Sequence, residues 1–241
     1  MFFDLHSHLL YGVDDGASSY AEMTQMLDIA YADGTRALCA TPHYSPRLFG
    51  ENRARATAVF EELCAYAGKR YPDLYLYQGH EIGYFGGCVE ALNDGRCCSI
   101  NGSRYVLVDF PEAMSFYEIS SSLLMLIRVG YRPILAHTER YRALSSQLPW
   151  LHEFAANGGV IQLNASSACG EWGHGAKQLW RRLIKEDLAH IISSDGHHPE
   201  MRPPRMSVCM DYLQKHCSPH KIQQLIWNNA CRVVGDEPIE I

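Results

Sequence analysis

The sequence predicts a barrel-like α/β fold, organised as a single domain over residues 1–241. Two observations carry this expectation. Short apolar, β-rich runs alternate with helical segments about seven times, the pattern of parallel strand–helix–strand units. At 241 residues and 47% hydrophobic content the chain can bury a full core, and no linker, repeat or low-complexity tract divides it.

The elements follow in order. In the first run, residues 2–8, alternation puts Asp4, His6 and His8 on one face. Ser18 or Ser19 can cap a helix over residues 20–32, whose Met23, Met26, Leu27 and Ala30 make one apolar stripe, and Gly34 ends it. Strands at 37–42 and 74–81 follow, separated by a helix at 52–69. Residues 86–102 break the alternation: ALNDGRCCSINGS carries turn dipeptides at both ends and predicts a small β-hairpin. Strands at 105–110, 133–137, 160–164 and 190–195 complete the set. Helices at 119–129, 148–156 and 175–185 lie between them, and two more, at 204–216 and 219–228, follow the last strand.

Composition excludes several functions. A net charge of -6 argues against a broad surface that tracks nucleic-acid phosphates. No apolar run approaches the roughly 20 residues of a spanning helix and none resembles a signal peptide, so a cytoplasmic protein without membrane insertion is expected. Nine cysteines without a C-x-x-C pair fit reduced, mostly buried thiols better than disulfides or a zinc ribbon. Twelve histidines are the clue to chemistry, because imidazole is the commonest metal ligand.

In a β/α barrel the chemistry sits where strands end. His6 and His8 close the first predicted strand, His43 follows the second, Glu81 ends the third, Asp109 stands at the end of the fourth and His137 ends the fifth; Asp195 with His197 closes the last. Only the strand ending near Asn164 departs from the pattern. Acidic groups that end apolar strands are desolvated unless paired or metal-bound. In GVDDGAS either Asp14 or Asp15 can be a ligand while the other caps the next helix. Mixed histidine and carboxylate without cysteine suits manganese, iron or zinc, with ligands for two or three ions. Closely spaced divalent ions generate a nucleophile from water and neutralise a phosphoryl oxygen, which points to phosphoester hydrolysis. Arg140 and Arg202, each just beyond a strand-end histidine, can hold the phosphate by bidentate contacts, and Arg205 competes weakly with Arg202. His152, His174, His216 and His220 are read as exposed, His80 as pointing opposite Glu81, and His198 as facing away from His197.

The motifs DLHSH, DDGA, ATPH, GHEI, VDFP, AHTERY, QLNASS, SSDGHH and RPPRM, in that order along the whole chain, resemble the PHP (polymerase and histidinol phosphatase) superfamily, and within it the CpsB/YwqE-type bacterial tyrosine-protein phosphatases. The resemblance implies a distorted (β/α)7 TIM-like barrel with a trinuclear centre of manganese, iron or related divalent ions. It implies His6, His8, Asp15, His43, Glu81, Asp109, His137, Asp195 and His197 as ligands, with Arg140 and Arg202 binding phosphate. It further implies hydrolysis of phosphotyrosine by a metal-generated hydroxide, the substrate being a tyrosine kinase of capsular or exopolysaccharide synthesis. Two positions depart from the family pattern: Asp109 stands where glutamate is usual, and Thr138 where proline is.

Three other readings compete. The C-x5-R pairs Cys64/Arg70 and Cys98/Arg104 match a cysteine-phosphatase loop, but one falls inside a predicted helix and the other precedes a strand, where no helix N-terminus can hold phosphate. A phosphatase for histidinol phosphate or another small phosphomonoester shares the metal chemistry. A non-catalytic metal-binding module is the third. Partner choice is expected to lie in the loops at 44–51 and 170–175, and nothing in the sequence specifies an oligomeric state.

Overall fold

The structure, a computed structural model, describes residues 1–239; the last two residues of the expected domain lie outside the described residues. Its strands are β1 (Phe2–Ser7), β2 (Thr35–Ala40), β3 (His43–Tyr44), β4 (Tyr75–Gln78), β5 (Glu81–Gly83), β6 (Tyr105–Asp109), β7 (Arg132–Leu135), β8 (Val160–Asn164) and β9 (Ile191–Ser193). All pair in parallel, in the orders β1–β2–β4 and β3–β5–β6–β7–β8–β9. β2 runs into β3 and β4 into β5 across two-residue breaks, so the strands trace the seven staves expected from the sequence.

The curl is drawn toward closure between the last stave and the first. Ser7 bridges Gly196, the His8 amide donates to the Gly196 carbonyl at 2.9 Å, and the Asp195 amide donates to the His6 carbonyl at 2.9 Å. Asp4, fully buried, secures the seam by accepting from the backbone and hydroxyl of Ser194. Gly196 is required at this crossing, because a Cβ there would meet Pro204 Cα at 2.7 Å.

Helices α1 (Tyr20–Asp33), α2 (Arg53–Arg70), α3 (Cys88–Asn93), α4 (Phe116–Arg128), α5 (Leu148–Ala156), α6 (Gly173–Lys185), α7 (Met210–His216), α8 (Pro219–Gln223) and α9 (Asn229–Val234) surround or follow the strands. Ser19, not Ser18, caps α1 by accepting from the Glu22 amide, and Gly34 ends the helix at φ 106°. Leu38 and Ala40 pack against Met23, Met26 and Leu63 of α1 and α2, while the alternate residues Ala37 and Cys39 join Phe3, Leu107, Ile134 and Ile191 in a separate cluster. That division is the period-2 pattern of strands buried on both faces.

Three sequence expectations are corrected. Residues 86–102 form no hairpin: α3 buries Cys88 and Ala91, three residues apart on one helical face, in the main core, and Gly95 at φ 71° ends it. The turn dipeptides therefore stop a short helix instead of joining strands. The third predicted strand is split at Gly79, which Ile100 approaches so closely that a Cβ would lie 2.7 Å from Ile100 Cδ1. The helix expected over 204–216 starts at Met210, after a single 3-10 turn at Ser207–Cys209.

Candidate metal centre

The C-terminal ends of the staves bring all nine expected ligands into one cluster. His6 and His8 leave β1 with fully buried side chains whose Nε2 atoms lie 3.0 Å apart. Each Nε2 is 3.2 Å from Glu81 Oε2 and 3.5 Å from Asp195 Oδ1. The other ring nitrogens are already engaged. His8 Nδ1 donates to Asp14 Oδ2 at 2.7 Å, and His6 Nδ1 donates to Gln162 Oε1 at 3.2 Å. That amide is oriented by the His137 backbone N–H, which donates to the same oxygen at 2.7 Å.

With each Nδ1 engaged, both Nε2 atoms point at one place, where two unprotonated nitrogens would repel unless a cation lay between them. An ion with bonds of about 2.0–2.2 Å sets neighbouring ligands about 2.8–3.6 Å apart in octahedral or tetrahedral geometry, which spans the contacts seen. Glu81 Oε2 is buried with no hydrogen-bond partner. The residues fit a divalent ion.

Two further groupings adjoin this one. His137 Nε2 is 3.0 Å from Glu81 Oε1 and 3.5 Å from Asp109 Oδ1. The exposed carboxylate of Asp15 reaches His43 Nε2 at 3.6 Å and His197 Nε2 at 3.8 Å, while His43 Nδ1 stands 3.0 Å from Glu81 Oε2. The sets His6/His8/Glu81, His43/Glu81/Asp109 and His8/Asp15/His43/His197 each offer atoms close enough to share an ion. Glu81 belongs to two of them, as a bridging carboxylate does. Backbone strain marks the site as well: His137 and Asp195 adopt φ of 32° and 54°, unusual for residues with a Cβ.

Geometry distinguishes Asp14 from Asp15. The Asp14 side chain is buried and satisfied, accepting from His8 Nδ1, the His43 amide and the Gly16 amide. It holds the His8 ring and the His43 backbone, the arrangement of a carboxylate behind a metal-bound histidine. Asp15 is the one whose oxygens remain available.

Electrostatics keep the central carboxylates ionised. Burial raises the pKa of Glu81, but the facing His6 and His43 outweigh it and hold the carboxyl well below its usual range. Asp195 is lowered too, against burial, by His6, His197 and Arg202. Burial and the neighbouring His8 push His197 down to about 2, so its imidazole is neutral. His8 resists burial and is raised by Asp14 and Glu81, a measure of how strongly the carboxylates call for positive charge.

Arg140 and Arg202 both approach Asp195 Oδ2, at 3.6 and 2.8 Å. Arg205 is exposed and takes no part in this cluster. His152, His174, His216 and His220 are exposed as expected. His80 is fully buried, its Nδ1 3.0 Å from Cys98 Sγ, and His198 serves a local turn by accepting from the Glu200 and Met201 amides. The thiol reading loses its footing: Cys64 lies within α2, and burial raises Cys98 to about 11.

Sequence reasoning passed over four supporting residues. Gln162 fixes His6, Asn164 Nδ2 donates to Asp195 Oδ2 at 2.7 Å, Tyr141 donates to Asp109 Oδ1 at 2.8 Å, and Trp172 lies beside both arginines. Two amides in the buried strand VIQLN were the available signal for the first pair, since buried polar groups need partners.

A model of the family described as capsular polysaccharide synthesis, CpsB/CapC, matches residues 2–235. The chain is 29% identical to the tyrosine-protein phosphatase CpsB of Streptococcus pneumoniae, over 98% of this chain and 99% of that protein. It is 32% identical to the putative tyrosine-protein phosphatase CapC of Staphylococcus aureus, over 83% and 78% of the respective lengths. A solved structure from work on YwqE of Bacillus subtilis and CpsB of Streptococcus pneumoniae, described as unique metal-dependent tyrosine phosphatases, superposes with a TM-score of 0.89 at 26% identity, covering 99% of this chain and 96% of that one. The fold, the matched span and these relatives agree that the chain belongs to the CpsB/CapC family of capsular polysaccharide synthesis.

Proposed function

We propose that this protein is a metal-dependent protein-tyrosine phosphatase, acting as one domain over residues 1–241. The observation that carries the reading is the convergence of the His6 and His8 lone pairs on Glu81 and Asp195, with two guanidinium groups against that same Asp195. His6, His8, Glu81 and Asp195 would hold one divalent ion; Glu81, Asp109 and His137 a second; Asp15, His43 and His197 a third. Manganese is the first choice, with iron or zinc suited to the same donors. Such ions lower the pKa of water and neutralise phosphoryl charge.

The protein's own side chains do the rest. Arg140 and Arg202 would be the catalytic cations, taking the phosphoryl oxygens in charge-assisted hydrogen bonds. Gln162 and Asp14 hold the histidines at fixed angles, and Tyr141 holds Asp109. A cavity of about 700 Å³ opens from Asp15, His43 and Asp109 and is walled by Pro46, Leu48, Phe49, Tyr84, Phe85 and Pro111. Its aromatic, largely apolar wall suits the ring of phosphotyrosine better than a small polar alcohol. The substrate protein is assigned as a tyrosine kinase of capsular or exopolysaccharide synthesis, encountered in the cytoplasm. Among the described residues no helix is long and apolar enough to cross a membrane.

The test compares a phosphotyrosine peptide with histidinol phosphate, with and without Mn²⁺ and chelator. Metal-dependent turnover of the peptide, lost in His137→Ala and kept in Cys64→Ser and Cys98→Ser, is expected. Preference for histidinol phosphate would favour a small-molecule phosphatase, inactivity toward both despite bound metal a non-catalytic module, and turnover surviving chelation would sink the metal chemistry.

A further inference from the structure

We propose that Trp172 is a positioning residue that holds Arg140 and Arg202 as one anion clamp. The proposal rests on the phosphate-binding reading of the two arginines. Arg140 Cζ lies 4.0 Å from the Trp172 ring centroid and Arg202 Cζ 4.9 Å from it. Both guanidinium groups also approach one carboxylate oxygen, Asp195 Oδ2. Two like charges are thus gathered around a single acid, and something besides that acid must keep them together.

An aromatic ring suits this task for a specific reason. A second carboxylate at position 172 would attract both cations but would occupy the N–H groups that phosphate needs. An indole attracts through its π face and takes no in-plane hydrogen bond, so the donor edges of the stacked guanidinium stay free. Arg140 shows such reserve: its Nε is buried without a partner, and its link to exposed Glu112 is long at 3.5 Å.

The chain is shaped to present this ring. Trp172 sits between β8 and α6, flanked by Gly170 and Gly173 at φ 96° and 85°, and the Gly173 amide donates to the Gly170 carbonyl at 3.0 Å. The tight turn places the ring in the wall shared by two clefts, one containing Arg140 and the other Arg202 with Asp195. The ring's contacts with Arg140 and Arg202 make the arginines the route by which it acts.

The test uses manganese-loaded full-length protein. Inorganic phosphate binding is measured by calorimetry, KM and kcat with a phosphotyrosine peptide, and ion content by elemental analysis. Trp172→Leu is expected to weaken phosphate binding and raise KM by about five- to thirty-fold, the range for two cation–π contacts, with ion content unchanged. Trp172→Phe, which keeps a π face, is expected to stay within about threefold of the wild type. Wild-type phosphate affinity in Trp172→Leu overturns the clamp, and so does an equal loss in both variants accompanied by loss of ions, which marks a purely structural role. Arg140→Ala and Arg202→Ala run alongside. If they leave phosphate binding unchanged, the anion-binding reading itself falls; if they weaken it and Trp172→Leu does not, only the clamp falls.

Discussion

Replacing Asp14 by asparagine separates a residue that orients ligands from one that supplies them. Asp14 Oδ2 accepts from His8 Nδ1 and from the His43 amide, both at 2.7 Å, and Oδ1 accepts from the Gly16 amide at 3.0 Å. Asparagine keeps the shape but has one accepting oxygen. Whichever way the amide turns, its NH₂ faces at least one buried donor. Hydrogen bonds to a charged partner are worth about 1.5–3 kcal/mol, and removing the group behind a metal-bound histidine costs about 10–100-fold in metal affinity, or roughly 1.4–2.7 kcal/mol. The expectation is that Asp14→Asn weakens the ion beside His8 by that factor. In the wild type the Asp14 carboxyl stays ionised across the neutral range, because His8 and His43 hold it, against burial, at about 2. Asp15→Asn, at a carboxylate that faces His43 and His197 and takes no hydrogen bond from His8, should empty a different position. Manganese titration by calorimetry with elemental analysis reads both. Wild-type affinity in Asp14→Asn, or an identical pattern of loss in Asp15→Asn, would refute the division of roles.

Three further outcomes are expected. Gly16→Ala puts a Cβ 2.1 Å from the His8 carbonyl oxygen, so it should destabilise the fold by about 1–3 kcal/mol or more and lower ion content, read by urea unfolding and elemental analysis. Tyr141→Phe strips the buried Phe110 amide of its 3.0 Å acceptor and Asp109 of its donor, costing about 1–3 kcal/mol in the same unfolding assay; an unchanged midpoint would contradict it. His190, buried away from the metal cluster, is lowered to about 4 by burial first and Lys221 second. Its unfolded form gains a proton below about 6.5 while the folded form does so only near 4, so stability falls as pH drops through that window, by up to about 3 kcal/mol. His190→Asn should flatten that part of the curve, and an unaltered slope would exclude His190 as the cause.

The staves and the candidate ligands were legible in the chain alone, because each is a local pattern. Period-2 runs such as Ala37–Ala40 and Val106–Val108 read as strands whatever surrounds them, and a histidine or acid closing an apolar run is visible in one dimension. Tertiary structure decided everything that depends on which chain segments meet. Ile100 pressing on Gly79 broke one strand in two, and burial of Cys88 with Ala91 turned an expected hairpin into a helix. Asp14 and Asp15 are chemically alike in sequence, and only the approach of His8 and the His43 amide made one an orienting group. Trp172 lies 32 residues from Arg140 and 30 from Arg202 in the chain. No periodicity links residues at such separations; the barrel's closure does, by placing the ends of different staves a few ångströms apart.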